Sequence, residues 1–318
     1  MRRSIPEQIA ANTRKSLVSA FMVVVVLSAL GAAVTGSYVP EFWWAGGIGS
    51  AVLGLIVGLV AWHKGPDIIL SISETRNASP AELRTLDNVT EEMALAAGIP
   101  TPHVYLIDDP APNAFATGNS PKEGIVVVTT GLMERLDRDE LQAVVAHEIA
   151  HIRNNDVKLM TTLAIVAGLV PLISEFFLRT FWRSGKKNAE SLVFIVIALV
   201  LVVLAPIFTK LLEMSVSRRR EFLADSTASQ LTRNPEALAS ALEKIAFSPQ
   251  RLEVANHATE HMYIINPFKP LGTEGWSLFS THPPVHARIA ALRGTSGVRK
   301  RRAPGDFSDM PEIPDQRR

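Results

Sequence analysis

The sequence predicts a predominantly α-helical integral membrane protein, with about four hydrophobic helices and an α+β domain that contains a small sheet. Three observations lead to this fold class. Of the 318 residues, 47% are hydrophobic, and the mean hydropathy is positive at +0.18. Two uncharged apolar runs lie near the N-terminus, and two more lie in the second half of the chain. The remaining segments have an ordinary globular composition, with short strand patterns and amphipathic helix patterns.

Charge and cysteine content exclude several kinds of protein. The 32 basic and 31 acidic residues nearly cancel to a net charge of +1, so no overall field favours nucleic acid, and we expect no nucleic-acid partner. The chain contains no cysteine, which excludes a disulfide framework and thiolate metal ligands. Any metal site must therefore use histidine and carboxylate side chains.

The first two apolar runs have the length of membrane-spanning helices. Leu17 to Thr35 is uncharged and rich in valine, leucine and alanine. Phe42 to Trp62 is also uncharged, with Trp43 and Trp44 at one end and Trp62 at the other, where an aromatic belt would lie. A cleaved signal peptide is the competing interpretation of the first run. We favour a spanning helix, because the run is long and a second span follows almost at once.

Small residues follow one face of the second predicted helix. Gly46, Ser50, Gly54 and Gly58 recur at every fourth position. Such a face lets another helix approach closely. We expect it to pack against the first helix of the same chain rather than to form a dimer interface.

The two later apolar runs leave the membrane topology open. Leu192 to Thr209 is long enough to cross, whereas Leu159 to Leu178 contains Pro171 and Glu175. Basic residues near the N-terminus place that end in the cytoplasm, and two crossings return the chain there at Lys64. If the later pair also crosses, the basic residues between the two runs are translocated. A hairpin that does not fully cross therefore stays an alternative.

These runs divide the chain into five parts. We predict two transmembrane helices in residues 1–63, the first part of the globular domain in 64–157, the third and fourth hydrophobic helices in 158–212, the second part of the globular domain in 213–293, and a disordered basic tail in 294–318. The segment Lys64-Gly65-Pro66 is interpreted as a linker between the first two parts.

The globular part begins with a helix and short strands. Ser79-Pro80 opens a predicted helix that Gly98 closes. Strand patterns follow at His103 to Ile107, around Phe115, and at Ile125 to Thr129. The segment is therefore predicted to form a small sheet that lies against helices.

The next predicted helix carries the residues that indicate the chemistry. Asp137 or Asp139 caps a helix that contains His147-Glu148-Ile149-Ala150-His151. Histidines four residues apart lie on one helix face, about 6 Å apart along the axis. Two imidazoles at this spacing can bind one tetrahedral zinc, and Glu148 can take the proton of an attacking water. Two unrelated histidines on a solvated helix face are the weaker alternative.

Candidates for a third metal ligand follow the last apolar run. Glu221 and Asp225 are four residues apart, so one can bind zinc while the other orients a ligand histidine. An exposed helix rich in arginine and glutamate is the alternative.

The segment from His257 to His261 fits the inverted metallopeptidase pattern, with a glutamate before the second histidine. Its flanks indicate a loop, so we expect loop histidines there, with a lid or substrate role as the alternative.

With these residues in place, the chain resembles the HtpX family of bacterial membrane zinc metallopeptidases, distant relatives of the CAAX prenyl-protein endopeptidases. The resemblance covers nearly the whole length. It rests on four motifs: Asn113-Ala114-Phe115-Ala116, His147-Glu148-Ile149-Ala150-His151, Glu221-Phe222-Leu223-Ala224-Asp225, and His282-Pro283-Pro284 with Arg288.

The resemblance implies a zincin-like catalytic domain. In such a domain, His147, His151 and Glu221 would bind one zinc ion per chain, and Glu148 would be the general base. The implied activity is a membrane-bound zinc endopeptidase of the bacterial inner membrane, multi-pass, with its catalytic domain in the cytoplasm. Its implied partners are the lipid bilayer and misfolded, damaged or unfolded polypeptides, which it would cleave in protein quality control.

The resemblance also implies roles for residues around the metal. Asp225 would orient a ligand histidine, His282 would donate a hydrogen bond to the developing oxyanion, and Arg288 would help to order the site. An extended substrate would pair with the backbone of an edge strand. This strand would consist of Asn113, Ala114, Phe115 and Ala116.

Three other functions compete with the protease. A catalytically silent membrane adaptor would usually have lost the base or a ligand, yet Glu148 and Glu221 are both present. A transporter or channel would need ionisable residues within its spans, and the first two runs have none. A prenyl-protein endopeptidase would normally need more spans around a large chamber.

Overall fold

The structure of the protein, a computed structural model, describes residues 5–165, 196, 199–200, 218–256, 258–268 and 282–300. Within these residues, helices predominate and a small mixed sheet is present. This confirms the predicted combination of helices with a small sheet. Most of both later apolar runs, Leu159 to Leu178 and Leu192 to Thr209, lies outside the described residues.

The elements follow the chain in this order. The described helices are α1 (Ile5–Tyr38), α2 (Trp43–Ile72), α3 (Pro80–Ala97), α4 (Thr130–Arg135), α5 (Arg138–Arg153), α6 (residues 156–165), α7 (Arg218–Thr232), α8 (Pro235–Ala246) and α9 (Val285–Lys300). The described strands are β1 (Arg76–Asn77), β2 (His103–Ile107), β3 (Ala114–Gly118) and β4 (Gly124–Thr129). Short 3-10 turns lie at Pro40–Phe42 and Glu260–Met262.

Helices α1 and α2 pack against each other through small residues. A Cβ atom added to Gly46 would lie 1.9 Å from Oγ1 of Thr35, and one added to Gly54 would lie 3.1 Å from Cδ1 of Leu27. These two glycines therefore face α1, as the spacing predicted. Gly58 differs, because a Cβ atom there would meet nothing within 4 Å among the described residues.

The stretch Pro40–Ile72 is, in the described part of the chain, the one helical stretch long and apolar enough to cross a membrane. Helix α1 adds a shorter apolar stretch, Val24–Tyr38. Large apolar side chains on the outside of α2, such as Trp43 and Leu53, are at least half exposed. Of the four predicted hydrophobic helices, one is thus a clear candidate span. Its exposed surface suits lipid.

Helix α2 continues through Lys64-Gly65-Pro66, the segment interpreted as a linker, and ends only at Ile72. Pro66 lacks a backbone donor, which weakens a helix locally. Tertiary packing offsets this loss, because Gly65 is buried so closely against α6 that a Cβ atom would lie 2.7 Å from Cγ2 of Thr161. The helix therefore links the apolar part of the chain directly to the globular domain.

Helix α3 begins and ends where the sequence predicted. Ser79 is its N-cap in a capping box, in which the backbone N–H of Ser79 donates to Oε2 of Glu82 at 2.7 Å. Gly98 ends the helix in the left-handed conformation at φ 69°.

The sheet is four-stranded and mixed, with strand order β1-β2-β4-β3. Strands β2 and β4 are parallel, whereas β1 and β3 pair antiparallel with their neighbours at the two edges. The three predicted strands are all present. The outer edge of β3 is partly covered, because Phe115 forms an isolated bridge with Tyr263 and the N–H of Ile264 donates to the carbonyl of Ala114 at 2.9 Å.

Helix α5 is the central helix of the globular domain and is buried over most of its length. Of the two candidate caps, Asp137 is the N-cap, and its side chain accepts from the N–H of Glu140 at 2.9 Å; Asp139 follows within the helix. The Glu140 carboxylate in turn accepts hydrogen bonds from Ser240 and Lys244 on α8, both at 2.6 Å. These contacts fix α5 against α8.

Helix α9 packs on α8 and extends further than predicted. Arg293 forms two hydrogen bonds of 2.8 Å with the carboxylate of Glu243 on α8. The helix continues to Lys300, so residues 294–300 are helical where the sequence predicted the start of a disordered tail. Residues 301–318 lie outside the described part of the chain.

Candidate metal centre

Helices α5 and α7 bring together the three predicted metal ligands. The Nε2 atoms of His147 and His151 lie 3.2 Å apart. Glu221 reaches both, with Oε1 3.6 Å from Nε2 of His151 and Oε2 3.7 Å from Nε2 of His147. One ligand atom from each side chain lies within 4.8 Å of the others, and all three side chains are buried. Helical spacing explains the histidine pair, and the packing of α7 on α5 supplies the carboxylate.

This donor set fits a divalent cation. Buried polar atoms normally have a hydrogen-bond partner. Oε2 of Glu221 and Oε1 of Glu148 are buried and have none among the described residues. A cation at the point where the three ligand atoms converge would satisfy the Glu221 oxygen and the two imidazole lone pairs. Two imidazoles and a carboxylate, without thiolate, form a set that zinc accepts.

A carboxylate lies beside the Nδ1 atom of His147, and an arginine binds that carboxylate. Its Nδ1 lies 2.9 Å from Oδ1 of Asp225. Arg288 donates to both oxygens of Asp225, at 2.8 and 2.7 Å, and to the carbonyl of Ile264 at 2.8 Å. Arg288 is fully buried. Since Nδ1 faces Asp225, Nε2 is free to face the cluster, the arrangement typical of metal-binding histidines. The structure thus places Asp225 and Arg288 beside His147.

His151 has a corresponding arrangement, which the sequence patterns did not predict. Its Nδ1 lies 3.2 Å from Oδ2 of Asp156. Arg220 donates to Oδ1 of the same carboxylate at 3.1 Å. Asp156 is 2% exposed. The sequence holds one weak signal for it, the pair Asn154-Asn155 that ends α5 immediately before this acid.

Glu148 lies beside the cluster and is buried. Burial raises the pKa of its carboxyl to about 8, and the charge of Glu221 adds to the rise; His151, Arg288 and the backbone of Ala116 oppose it. A carboxylate with a raised pKa is a stronger base than an exposed glutamate. Its environment therefore suits a group that accepts a proton near neutral pH.

The charges of the other site residues are strongly coupled. Burial alone would raise the pKa of Glu221, but the positive groups of His282, His151 and Arg288 outweigh burial and lower it to about 2. Burial alone would lower the pKa of His151, but the hydrogen bond to Asp156 and the charge of Glu221 outweigh burial and raise it to about 9. In the metal-free site, an anionic Glu221 therefore faces a cationic His151.

The remaining predicted histidines occupy different places. His282 is buried and close enough to Glu221 to act most strongly among the charges that lower its pKa. His261 lies in a 3-10 turn rather than an exposed loop, and its Nε2 is 3.0 Å from the carbonyl oxygen of Met160. Within the described residues, it is not part of a metal-binding group. His257 lies outside those residues.

Part of the predicted substrate-binding edge, Asn113 to Ala116, already forms hydrogen bonds within the protein. The Asn113 side chain donates to the carbonyl of Ile265 at 3.0 Å and accepts from the N–H of Ala114 at 3.0 Å. The carbonyl of Ala114 is taken by Ile264. Ala116 has its backbone directed towards Glu148. Asn113 and Ala114 thus stabilise the domain, and Phe115 packs edge-on against Tyr263.

Comparisons with known proteins give a consistent result. The chain is 42% identical over 289 residues to a protein described as "Protease HtpX homolog" from Dictyoglomus thermophilum, covering 90% of this chain and 93% of that protein. A second HtpX homolog, from Caldanaerobacter subterraneus subsp. tengcongensis, is 40% identical over 301 residues, covering 92% and 98%. These relatives confirm the resemblance to the HtpX family.

A solved structure, the crystal structure of S. mikatae Ste24p, matches with a TM-score of 0.45 at 19% sequence identity. That match covers 90% of this chain and 66% of the Ste24p chain, so this chain spans less than two thirds of Ste24p. The family model described as "Peptidase family M48" matches residues 80–296, a span that holds the whole metal-binding cluster together with His282 and Arg288. By its match to this family model and by its similarity to the HtpX homologs, the chain belongs to peptidase family M48.

Proposed function

We propose that this protein is a zinc endopeptidase of the bacterial inner membrane that cleaves misfolded or damaged membrane proteins and unfolded cytosolic segments. Membership of family M48 supports the protease activity. The observation that carries the metal-dependent mechanism is the convergence of His147, His151 and Glu221 beside the buried carboxylate of Glu148.

His147, His151 and Glu221 would hold the zinc ion. When bound, zinc supplies the Lewis acidity that polarises the scissile carbonyl and lowers the pKa of a water molecule to about 7. Glu148 accepts a proton from the attacking water as the new carbon–oxygen bond forms. It then gives this proton to the nitrogen of the leaving amine as the peptide bond breaks, so the carboxylate is restored at the end of the cycle.

His282 is proposed to stabilise the oxyanion that develops on the carbonyl oxygen. Its burial close to Glu221 supports this role, because a fixed donor in a site of low dielectric stabilises developing charge better than one in water. Arg288 is proposed to keep Asp225 and His147 in place, since its guanidinium binds both oxygens of Asp225.

The substrate is proposed to bind in an extended form along the outer edge of β3. Alternate residues of this strand direct their backbone groups outward, and the carbonyl of Ala114 is already paired with Ile264. The next outward positions are Ala116, whose backbone is directed towards Glu148, and Gly118, so a substrate that pairs here would have its backbone next to Glu148. Backbone pairing tolerates many side chains, which suits unfolded substrates of varied sequence.

Two features support a multi-pass membrane protein with a cytoplasmic catalytic domain. The α1–α2 hairpin returns the chain to the side of its basic N-terminus, which is the cytoplasmic side in bacteria. Helix α2 contains the candidate span and then leads directly into the globular domain.

The proposal is tested with detergent-purified protein, supplied zinc and unfolded casein. We expect the wild type to cleave casein, Glu148→Gln to keep its zinc but lose about 100-fold or more of the activity, and Glu221→Ala to lose zinc and activity together. The matched variant Glu92→Gln changes an exposed acid on α3 and should leave both unchanged.

Cleavage by Glu148→Gln at the wild-type rate would refute Glu148 as the base. A wild type that binds zinc but cleaves neither casein nor unfolded membrane proteins would instead support the adaptor.

A further inference from the structure

The carboxylate of Asp156 bridges a candidate metal ligand and an arginine. One oxygen lies 3.2 Å from Nδ1 of His151, and the other accepts from Arg220 at 3.1 Å. The Asp156 side chain is 2% exposed and that of Arg220 is 11% exposed, so water screens this interaction little. A buried carboxylate is costly unless it is paired and hydrogen-bonded, and both of these contacts stabilise its charge.

The backbone between α5 and α6 produces this contact. On a continuous helix, a residue five positions after His151 would lie well to the side of it. Asn155 instead adopts a left-handed conformation at φ 55°, which ends α5 and starts α6 in a new direction. Asparagine accepts this conformation more readily than most residues. This change of direction brings the Asp156 carboxylate back to the imidazole of His151 in the last turn of α5.

We infer that Asp156 is a positioning residue for His151, and that Arg220 holds Asp156 in the orientation that this contact needs. The inference rests on the proposed zinc site and extends it. With Nδ1 facing Asp156, Nε2 of His151 faces His147 and Glu221, so the ligand is oriented before any cation binds. Such outer partners typically change metal affinity or activity by about 10- to 100-fold when they are removed.

The location of Arg220 gives the pair a second consequence. Arg220 directly precedes the ligand Glu221 on α7, and Asp156 lies five residues after His151. In sequence, Asp156 and Arg220 lie on opposite sides of the segment 158–212, which contains the two later apolar runs. Their ion pair therefore ties together the two flanks of that region and two of the three ligands. The Asp225–Arg288 pair, by contrast, joins α7 to α9 within the globular domain.

A double-mutant cycle in metal affinity tests the inference. Zinc affinity is measured by chelator competition in the full-length, detergent-purified wild type, Asp156→Asn, Arg220→Gln and the double variant. We expect Asp156→Asn to weaken binding by about 10- to 100-fold, and Arg220→Gln by about tenfold or less. Because Arg220 acts through Asp156, Arg220→Gln should change affinity by less than about twofold in the Asp156→Asn background.

A spectroscopic readout separates positioning from a general loss of stability. Co²⁺ substituted for zinc reports ligand geometry through its visible absorption bands, and we expect Asp156→Asn to shift these bands while the wild type and a control keep them. The matched control is Glu92→Gln with Arg138→Gln, which removes an exposed ion pair at the start of α5. Thermal unfolding of the metal-free proteins shows whether each variant is folded.

The outcomes are distinct. Unchanged zinc affinity and cobalt bands in a folded Asp156→Asn variant would overturn the inference and leave the proposed function intact. An equal effect of Arg220→Gln in both backgrounds would overturn the role of Arg220. A wild type that binds neither Zn²⁺ nor Co²⁺ would overturn the proposed function itself.

Discussion

At the scale of single residues, the site combines many buried charges in a small volume. Glu148, Glu221, Asp225 and Asp156 are each at most 6% exposed. Buried carboxylates are tolerated only when opposite charge and hydrogen bonds surround them. Arg288 supplies both to Asp225, with which it forms a bidentate pair. Arg220 supplies charge and a hydrogen bond to Asp156, which leaves Glu148 and Glu221 without a bidentate arginine partner; Glu221 has only the more distant guanidinium of Arg288, at 3.5 Å. A divalent cation would supply the missing positive charge beside Glu221.

The protonation of His151 predicts how metal affinity depends on pH. Its pKa of about 9 in the metal-free site means that, below pH 9, a metal must displace a proton from it. Lower pH therefore weakens binding, and higher pH strengthens it. We expect zinc affinity to rise about tenfold per pH unit for each displaced proton between pH 6.5 and 8. Chelator competition across this range measures the slope, and an affinity independent of pH would contradict a protonated His151.

At the scale of elements, the contact between α1 and α2 depends on glycines whose backbones nearly touch. A Cβ atom on Gly31 would lie 1.9 Å from Oγ of Ser50 and 2.6 Å from the carbonyl oxygen of Gly46. Neither helix can accept a larger side chain there without moving apart. Close approach of this kind stabilises helix pairs in membranes, where apolar side chains gain little by leaving lipid.

Two substitutions on α2 distinguish this contact from general helix propensity. Gly46→Val should separate α1 from α2 and destabilise the protein by about 1–3 kcal/mol, because the new side chain overpacks the contact with Thr35. Gly58→Val is the matched control, since a Cβ atom at that position meets nothing within 4 Å among the described residues. Thermal unfolding in detergent measures both variants. Equal losses in the two would mean that packing against α1 is not the cause.

At the scale of the whole molecule, the apolar hairpin and the globular domain share one continuous helix. The outer face of α2 exposes large apolar residues along its span, and the same helix then packs Gly65 and Ile69 inside the protein. A helix that is exposed and apolar at one end and buried at the other suits a protein anchored in a bilayer. In the proposed membrane protein, this continuous helix would hold the globular domain close to the membrane surface.

Because the chain has no cysteine, single cysteines can report its topology. Glu41 lies in the exposed turn between α1 and α2, and Glu74 is exposed just after α2. We expect a membrane-impermeant maleimide, added to intact spheroplasts, to label Glu41→Cys but not Glu74→Cys. Both should react after the membrane is permeabilised. Labelling of Glu74→Cys in intact spheroplasts would place the globular domain outside the cytoplasm.

The sequence by itself determined those features that depend on neighbouring residues. Helix α3 has the cap at Ser79 and the end at Gly98 that local backbone chemistry required. The strands lie at the predicted positions, and the pairing of His147 with His151 follows from one helical turn. Spacing also singled out Glu221 and Asp225 as a pair, the family resemblance chose Glu221 as the ligand, and the structure brings it to the histidines.

Only the tertiary structure decided features that join distant segments or break a regular period. Asp156 reaches His151 because Asn155 turns the backbone, and helical spacing alone would place it elsewhere. The cover over β3 comes from residues 263–264, far away in sequence, and it pairs the outward carbonyl of Ala114 with the N–H of Ile264. Local rules describe how a few residues arrange themselves, whereas these contacts arise from the packing of whole elements, which sequence spacing does not encode.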